Sequence, residues 1–205
     1  MKSNRKMIAA AAALMMLTGC GTQNAQPSPA EPAQTAAPAA ETEAPEVSEA
    51  EAPAEFDPAK LPAITLNSEN LHDGVWDDAV SNTDRGTNSS PQLAWEPVGD
   101  AACYAVYMVD TTATNWLHWK SAGVTETELP AGWASAEEYV GPYPPSGTHE
   151  YEIRVFALKE PVTEEKSAFD RSNFNFDDLV KALDEGSSGS GNVLAYGTLK
   201  GTFTR

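Results

Sequence analysis

Apolar positions alternate most clearly over Cys103 to Asp110, where both faces of a period-two pattern are hydrophobic. Cys103, Ala105, Tyr107 and Val109 fall on one side, and Tyr104, Val106 and Met108 on the other. Such a run predicts a central strand covered from both sides. It stops at Asp110. After a Thr-rich loop, a second strand is predicted over Trp116 to Ser121. Period two puts Trp116 and His118 on one face, and Leu117 and Trp119 on the other. Two strand ends thereby deliver an acid, a histidine and an indole to one loop.

Glu150 to Leu158 is a further strand. Tyr151, Ile153, Val155 and Ala157 share its apolar face, and Glu150, Glu152 and Arg154 the polar one, which Phe156 interrupts. Val193 to Phe203 reads as a closing strand after the Ser/Gly-rich residues 186–191. Shorter extended pieces are expected at Ile64 to Leu66, at Val75-Trp76 after the turn His72-Asp73-Gly74, and at Pro91 to Trp95. Residues 124–139 look irregular, and three prolines stiffen the loop from Gly141 to Gly147. One helix is predicted, with Asn175 as its cap, Asp177 and Asp178 in its first turn, and Phe176, Leu179, Val180 and Leu183 on its apolar side. Many strands, abundant turns and so little helix predict a mostly β domain, sandwich or barrel-like.

The N-terminus has a different character. Lys2, Arg5 and Lys6 precede the apolar run Met7 to Leu17, about a dozen residues where a spanning helix needs ~20. Residues 1–19 therefore read as a secretory signal. Leu17-Thr18-Gly19-Cys20 resembles the bacterial lipobox, which implies a lipidated Cys20 as the mature N-terminus. Residues 20–60 follow as a disordered tether of Ala, Pro and Glu that cannot bury enough surface to offset its ordering entropy. Residues 61–205 remain as one domain of about 145 residues.

Cys103 then has no disulfide partner and is expected to be a small buried hydrophobe. The formal charge is −17, and loss of the basic Lys2, Arg5 and Lys6, with no acid before Cys20, takes it to −20. Such a charge argues against nucleic acid as a partner and against electrostatic attachment to anionic lipid. Attachment to the outer face of the cell membrane must then be covalent. More than one acyl chain of the palmitate kind is expected on Cys20, because a single chain holds only marginally.

The familiar catalytic signatures are absent: no nucleophile elbow, P-loop, dinucleotide-binding glycine pattern or zinc-protease motif occurs. His72, His118 and His149 are scattered without metal-ligand spacing, and no cofactor is implied. His118 and His149 nevertheless fall where strands meet loops. Three readings stay open on the residues alone. One is an anion-binding pocket, one a hydrolase using His118, His149 and Asp110, and one a surface on which Trp and Tyr stack against sugar rings.

Asn88-Ser89-Ser90-Pro91-Gln92-Leu93-Ala94-Trp95 is similar to the N-x-SP-x-L-x-W segment of the phosphatidylethanolamine-binding protein family. Asp110 followed by Trp116-Leu117-His118-Trp119 resembles its first signature. The stretch from Gly141 to Tyr151 resembles its second, G-P-x-x-P…H-R-Y, and Leu194 to Arg205 the ending of its bacterial members. The resemblance runs in consistent order from about Ile64 to Arg205. It implies a two-sheet antiparallel β-sandwich with one or two peripheral helices and a small anion pocket, and it implies no catalytic role. Asp110, Trp116, His118, Gly141, Pro142, His149 and Tyr151 would line that pocket. The ligand would be a phosphorylated or carboxylate anion, and a protein partner is a further expectation. The chain departs from the pattern at two points: Thr112 stands where the family turn D-P-D-A-P has its second acid, and Glu150 where H-R-Y has arginine.

Overall fold

The computed structural model describes residue 57, residues 60–173 and residues 176–205. The predicted signal, the lipidated Cys20, nearly all of the tether and the Asn175 cap lie outside these. The strands in chain order are β1 (Leu71–His72), β2 (Val75–Trp76), β3 (Leu93–Ala94), β4 (Cys103–Asp110), β5 (Trp116–Val124), β6 (Glu128–Leu129), β7 (Thr148–Leu158) and β8 (Val193–Thr204). The helix α1 (Phe176–Asp184) lies between β7 and β8. A six-stranded sheet has the order β1-β2-β8-β7-β4-β5, and β3 and β6 form a separate pair.

The two-faced alternation of residues 103–110 does what it predicts. β4 is flanked by β7 and β5, and all of its residues are buried. Tyr104, Val106 and Met108 join one core cluster with Tyr151, Ile153 and Val155 of β7, and with Leu93 and Leu129 of the small sheet. Cys103, Ala105, Tyr107 and Val109 join a second cluster, which Leu179, Val180 and Leu183 of α1 cover. The helix therefore serves one face of the large sheet, and the β3–β6 pair serves the other. Cys103 is a buried free thiol.

Three expectations need correction. Leu117 and Trp119 do not share a face. Met108 pairs with Trp119 but Val109 with Leu117, so His118 is the extra residue of a β-bulge. Trp119 consequently packs in the first cluster and Leu117 in the second. The large sheet is not wholly antiparallel, since β2 runs parallel to β8 through Val75 and Thr202. No hairpin joins these two strands, so nothing ties them to opposite directions. Finally, residues 64–66 form no strand. Ala63 bridges Tyr196 of the large sheet and Asn67 bridges Ala94 of the small one, so this segment crosses between sheets.

Two short strands arise from turn chemistry. Asp73 and Gly74 both take positive φ, at 51° and 78°, which suits the two-residue turn that closes β1 on β2. β6 pairs with β3 inside a stretch that looks irregular in sequence.

Candidate functional site

The register of the large sheet brings the site together. Asp110 at the end of β4 pairs with Trp116 on β5 and with Tyr151 on β7, while Thr148 near the loop pairs with Thr204 of β8. The last residues of β4 and β8 and the first of β5 and β7 therefore share one end of the sheet. A cavity of about 420 Å³ opens there.

Asp110 is the buried anchor, 3% exposed. Its Oδ1 accepts the backbone N–H groups of Thr112 at 2.9 Å and Ala113 at 3.0 Å, a side-chain-to-backbone turn that the Asp residue type favours. Its Oδ2 lies 2.6 Å from His149 Nδ1. A carboxylate only accepts, so Nδ1 carries the proton and Nε2 is the remaining ring nitrogen. Asp110 thereby fixes both the turn and the imidazole.

His118 is held differently. Its Nδ1 is 2.8 Å from the Val140 carbonyl, which accepts the ring proton. The β-bulge sets this orientation, because the His118 carbonyl in turn accepts from Val140 N–H at 2.8 Å. Burial pushes the His118 pKa down. The Val140 carbonyl and the charges of Asp110 and Asp170 oppose that shift without overcoming it. His118 presents a ring biased toward the neutral form.

Tyr151 is fully buried and stacks with His149 at 6.5 Å between ring centres, while His118 meets it edge-on at 5.2 Å. Its hydroxyl makes no well-aligned hydrogen bond but interacts with the Asp110 carboxylate. Burial first, and then the nearby Asp110 carboxylate, push its pKa well up, so the hydroxyl keeps its proton.

Trp116 and Tyr143 form the apolar wall with Pro144, Pro145 and Ala113. Both aromatic groups are braced by one carboxylate oxygen: Asp170 Oδ1 accepts from Trp116 Nε1 at 3.0 Å and from the Tyr143 hydroxyl at 2.7 Å. Burial and Asp170 raise the Tyr143 pKa to about 12. Arg205 completes the rim.

Of the residues expected here, Asp110, Trp116, His118, His149 and Tyr151 line the cavity. Gly141 and Pro142 are not among the lining residues, although the Gly141 backbone bears on His118. Gly141 N–H donates to Asn88 Oδ1 at 2.7 Å, and the Pro142 carbonyl accepts from Asn82 N–H at 2.9 Å. A Cβ on Gly141 would come within 2.0 Å of the Val80 carbonyl, so only glycine lets the loop dock there. Tyr143, Pro144 and Pro145 belong to a loop that the sequence marks as stiff without marking it as lining. Asp170 and Arg205 carried no signal beyond their charge. Thr112 and Glu150, the two departures from the family pattern, do not line the cavity. Among the described residues, no His, Cys, Asp and Glu side chains gather in threes closely enough to hold a metal ion.

Residues 62–204 match the model of a family described as phosphatidylethanolamine-binding protein. A UPF0098 protein of Methanothermobacter thermautotrophicus is 30% identical over 141 residues, covering 58% of this chain and 85% of that relative. Two solved structures share the fold at 20% identity. One is a phosphatidylethanolamine-binding protein homologue from Chlamydia trachomatis, with a TM-score of 0.53 over 70% of this chain and 98% of that one. The other is YbcL of E. coli, described as a new member of the mammalian family of these proteins, with a TM-score of 0.50 over 69% and 98%.

Proposed function

The chain belongs to the phosphatidylethanolamine-binding protein family, and on that basis we propose that its cavity holds a small phosphorylated or carboxylate anion. The observation that carries this reading is the Tyr151 hydroxyl. It is a buried donor that makes no well-formed hydrogen bond beyond its interaction with the Asp110 carboxylate, on the wall of a cavity and beside a carboxylate-oriented histidine. A donor held only by an imperfectly aligned carboxylate gains when an anion oxygen accepts from it. A cavity of about 420 Å³ suits a small ligand, since binding pockets run from ~300 to 1,000 Å³.

Two other readings are less well supported. A hydrolase built on Asp110, His118 and His149 would have to activate water directly, since no Ser, Thr or Cys lines the cavity to form a covalent intermediate. A sugar-stacking platform needs coplanar aromatics, and Trp116 and Tyr143 meet at 89°. The two sheets are taken as the layers of a β-sandwich because Leu93 and Leu129 share a core cluster with β4 and β7. In the cell the domain is read as exported and held on the outer membrane face by lipid on Cys20. There it would bind its anion and modulate a protein partner.

Calorimetry with inorganic phosphate, phosphoethanolamine and acetate tests the pocket. The wild type should bind at least one of them, and Tyr151→Phe should weaken that binding about tenfold. No heat of binding from any of the three would overturn the reading. Attachment is tested separately: Cys20→Ala should release the protein from membranes, and persistent lipid labelling would overturn the anchor.

A further inference from the structure

The charged groups that line the cavity do not add up to a cationic site without one residue that the family signatures omit. Asp110 brings a negative charge and binds His149 directly. His118 is biased toward its neutral form by burial. The remaining charged group on the rim is Arg205, a permanent cation. The whole chain carries −17, so its long-range field repels an anion that approaches the cavity. Local charge has to supply the attraction.

Arg205 is also placed with some precision. Its backbone N–H donates to the Gly147 carbonyl at 3.1 Å, and its Nη1 donates to the Pro144 carbonyl at 3.4 Å. The preceding Thr204 carbonyl accepts from Arg85 Nη2 at 2.6 Å, and the Arg85 guanidinium lies over the Phe203 ring at 5.2 Å. The end of β8 is therefore pinned from two sides, next to the proline loop that forms one wall. Among the described residues, no aspartate or glutamate side chain forms an ion pair with Arg205. Most of its donors are free to turn toward a ligand.

We infer that Arg205 is the charge-reading residue of this pocket, contacting the bound anion from the rim while Tyr151 and His149 hold it at the floor. The inference rests on the anion-pocket reading and adds the residue that sets its selectivity for charge. A planar guanidinium suits oxyanions in a way an ammonium does not, because it offers paired parallel donors. Arg205 thus favours tetrahedral and carboxylate anions over neutral molecules of the same size.

The test uses sulfate, which keeps its charge across the working range, titrated calorimetrically at pH 8, above the ordinary histidine range. The wild type should bind, and Arg205→Gln should bind about ten- to a hundredfold more weakly. Arg205→Lys should recover only part of the loss and should regain the dependence on ionic strength that Arg205→Gln loses. A thermal melt of each variant separates lost charge from lost fold, since the backbone bond to Gly147 survives both changes. Equal affinity in wild type and Arg205→Gln would overturn the inference while leaving the anion pocket standing. Absence of sulfate binding by the wild type would overturn the inference, while the pocket reading stands or falls on the phosphate, phosphoethanolamine and acetate titrations.

Discussion

Thr112 and Glu150 are in contact: the Glu150 backbone N–H donates to Thr112 Oγ1 at 2.9 Å. The Glu150 carboxylate is bound at the same turn, where Thr111 Oγ1 donates to it at 2.9 Å. These are the two positions at which the chain leaves the family pattern. One bond uses the Glu150 backbone and the other its carboxylate. Lys200 Nζ, 3.3 Å from Glu150, adds a cation on the outer side, and the Thr111 bond and Lys200 together lower the Glu150 pKa. The two departures therefore stand side by side on one turn.

That contact predicts the outcome of restoring the family residues. Thr112→Asp alone sets a carboxylate against Glu150 and should lower Tm by a few degrees. Glu150→Arg alone loses the bonds to Thr111 and Lys200 and should also destabilise. The double variant pairs the new charges and should recover more than the sum of the single effects allows. Melting curves for the four proteins measure this. Strict additivity would mean that the two positions act independently.

Asp110 supports the site more heavily. Removing its charge in Asp110→Asn breaks a buried pair whose side chains are only 4% and 14% exposed. It also weakens the acceptor for two backbone N–H groups of the turn. The expected loss is about 3 kcal/mol, read as a shift in the urea midpoint. His149→Ala should cost less, because Asp110 Oδ1 keeps both of its turn bonds. If the two variants were equally destabilised, the anchoring role assigned to Asp110 would be wrong.

How much of this was legible in the sequence follows from the range of each signal. Two-faced alternation at residues 103–110 located the central strand, because period-two burial is a local property of the chain. The same logic failed at Leu117 and Trp119. A bulge at His118 shifts register by one residue, and no composition cue marks it. Asp110, His118, His149 and Tyr151 were visible as polar groups at strand ends. Asp170 was not, since its role is defined by partners 54 and 27 residues away. Arg205 was hidden in the same way: only the pairing of Thr148 with Thr204 brings the end of β8 to the cavity. Gly141 and Pro142 enter the expected lining through the family resemblance alone, which carries no information on which atoms face the cavity. Their backbone contacts with Val80, Asn82 and Asn88 dock the loop, and the Gly141 backbone also bears on the His118 ring.

Asp170 gives a spectroscopic prediction. Its carboxylate, after burial, is what raises the Tyr143 pKa to about 12. Asp170→Asn should lower that value, seen as earlier phenolate absorption in an alkaline titration, with Tyr143→Phe identifying the signal. The Trp116 indole loses a charged acceptor in the same variant, so its fluorescence should change as well. An unchanged Tyr143 titration would leave burial as the sole cause of the shift.

His118 gives a prediction about stability and pH whose sign can be worked out. The ring is 3% exposed, and burial holds its pKa below the ordinary histidine value of 6.5. The unfolded chain titrates near 6.5, so between the folded value and 6.5 the unfolded state binds a proton that the folded state does not. Stability contributed by His118 is therefore full above 6.5 and is lost as pH falls through the interval down to the folded value. His118→Gln, neutral at every pH and still able to donate to the Val140 carbonyl, should lack this component. Urea midpoints at pH 5 to 8 should show the wild type losing stability faster on acidification than the variant. The two curves should run parallel above pH 7, because every other titrating group is common to both. Parallel curves across the whole range would mean that His118 titrates alike in the folded and unfolded chains, and that burial does not bias the ring toward its neutral form.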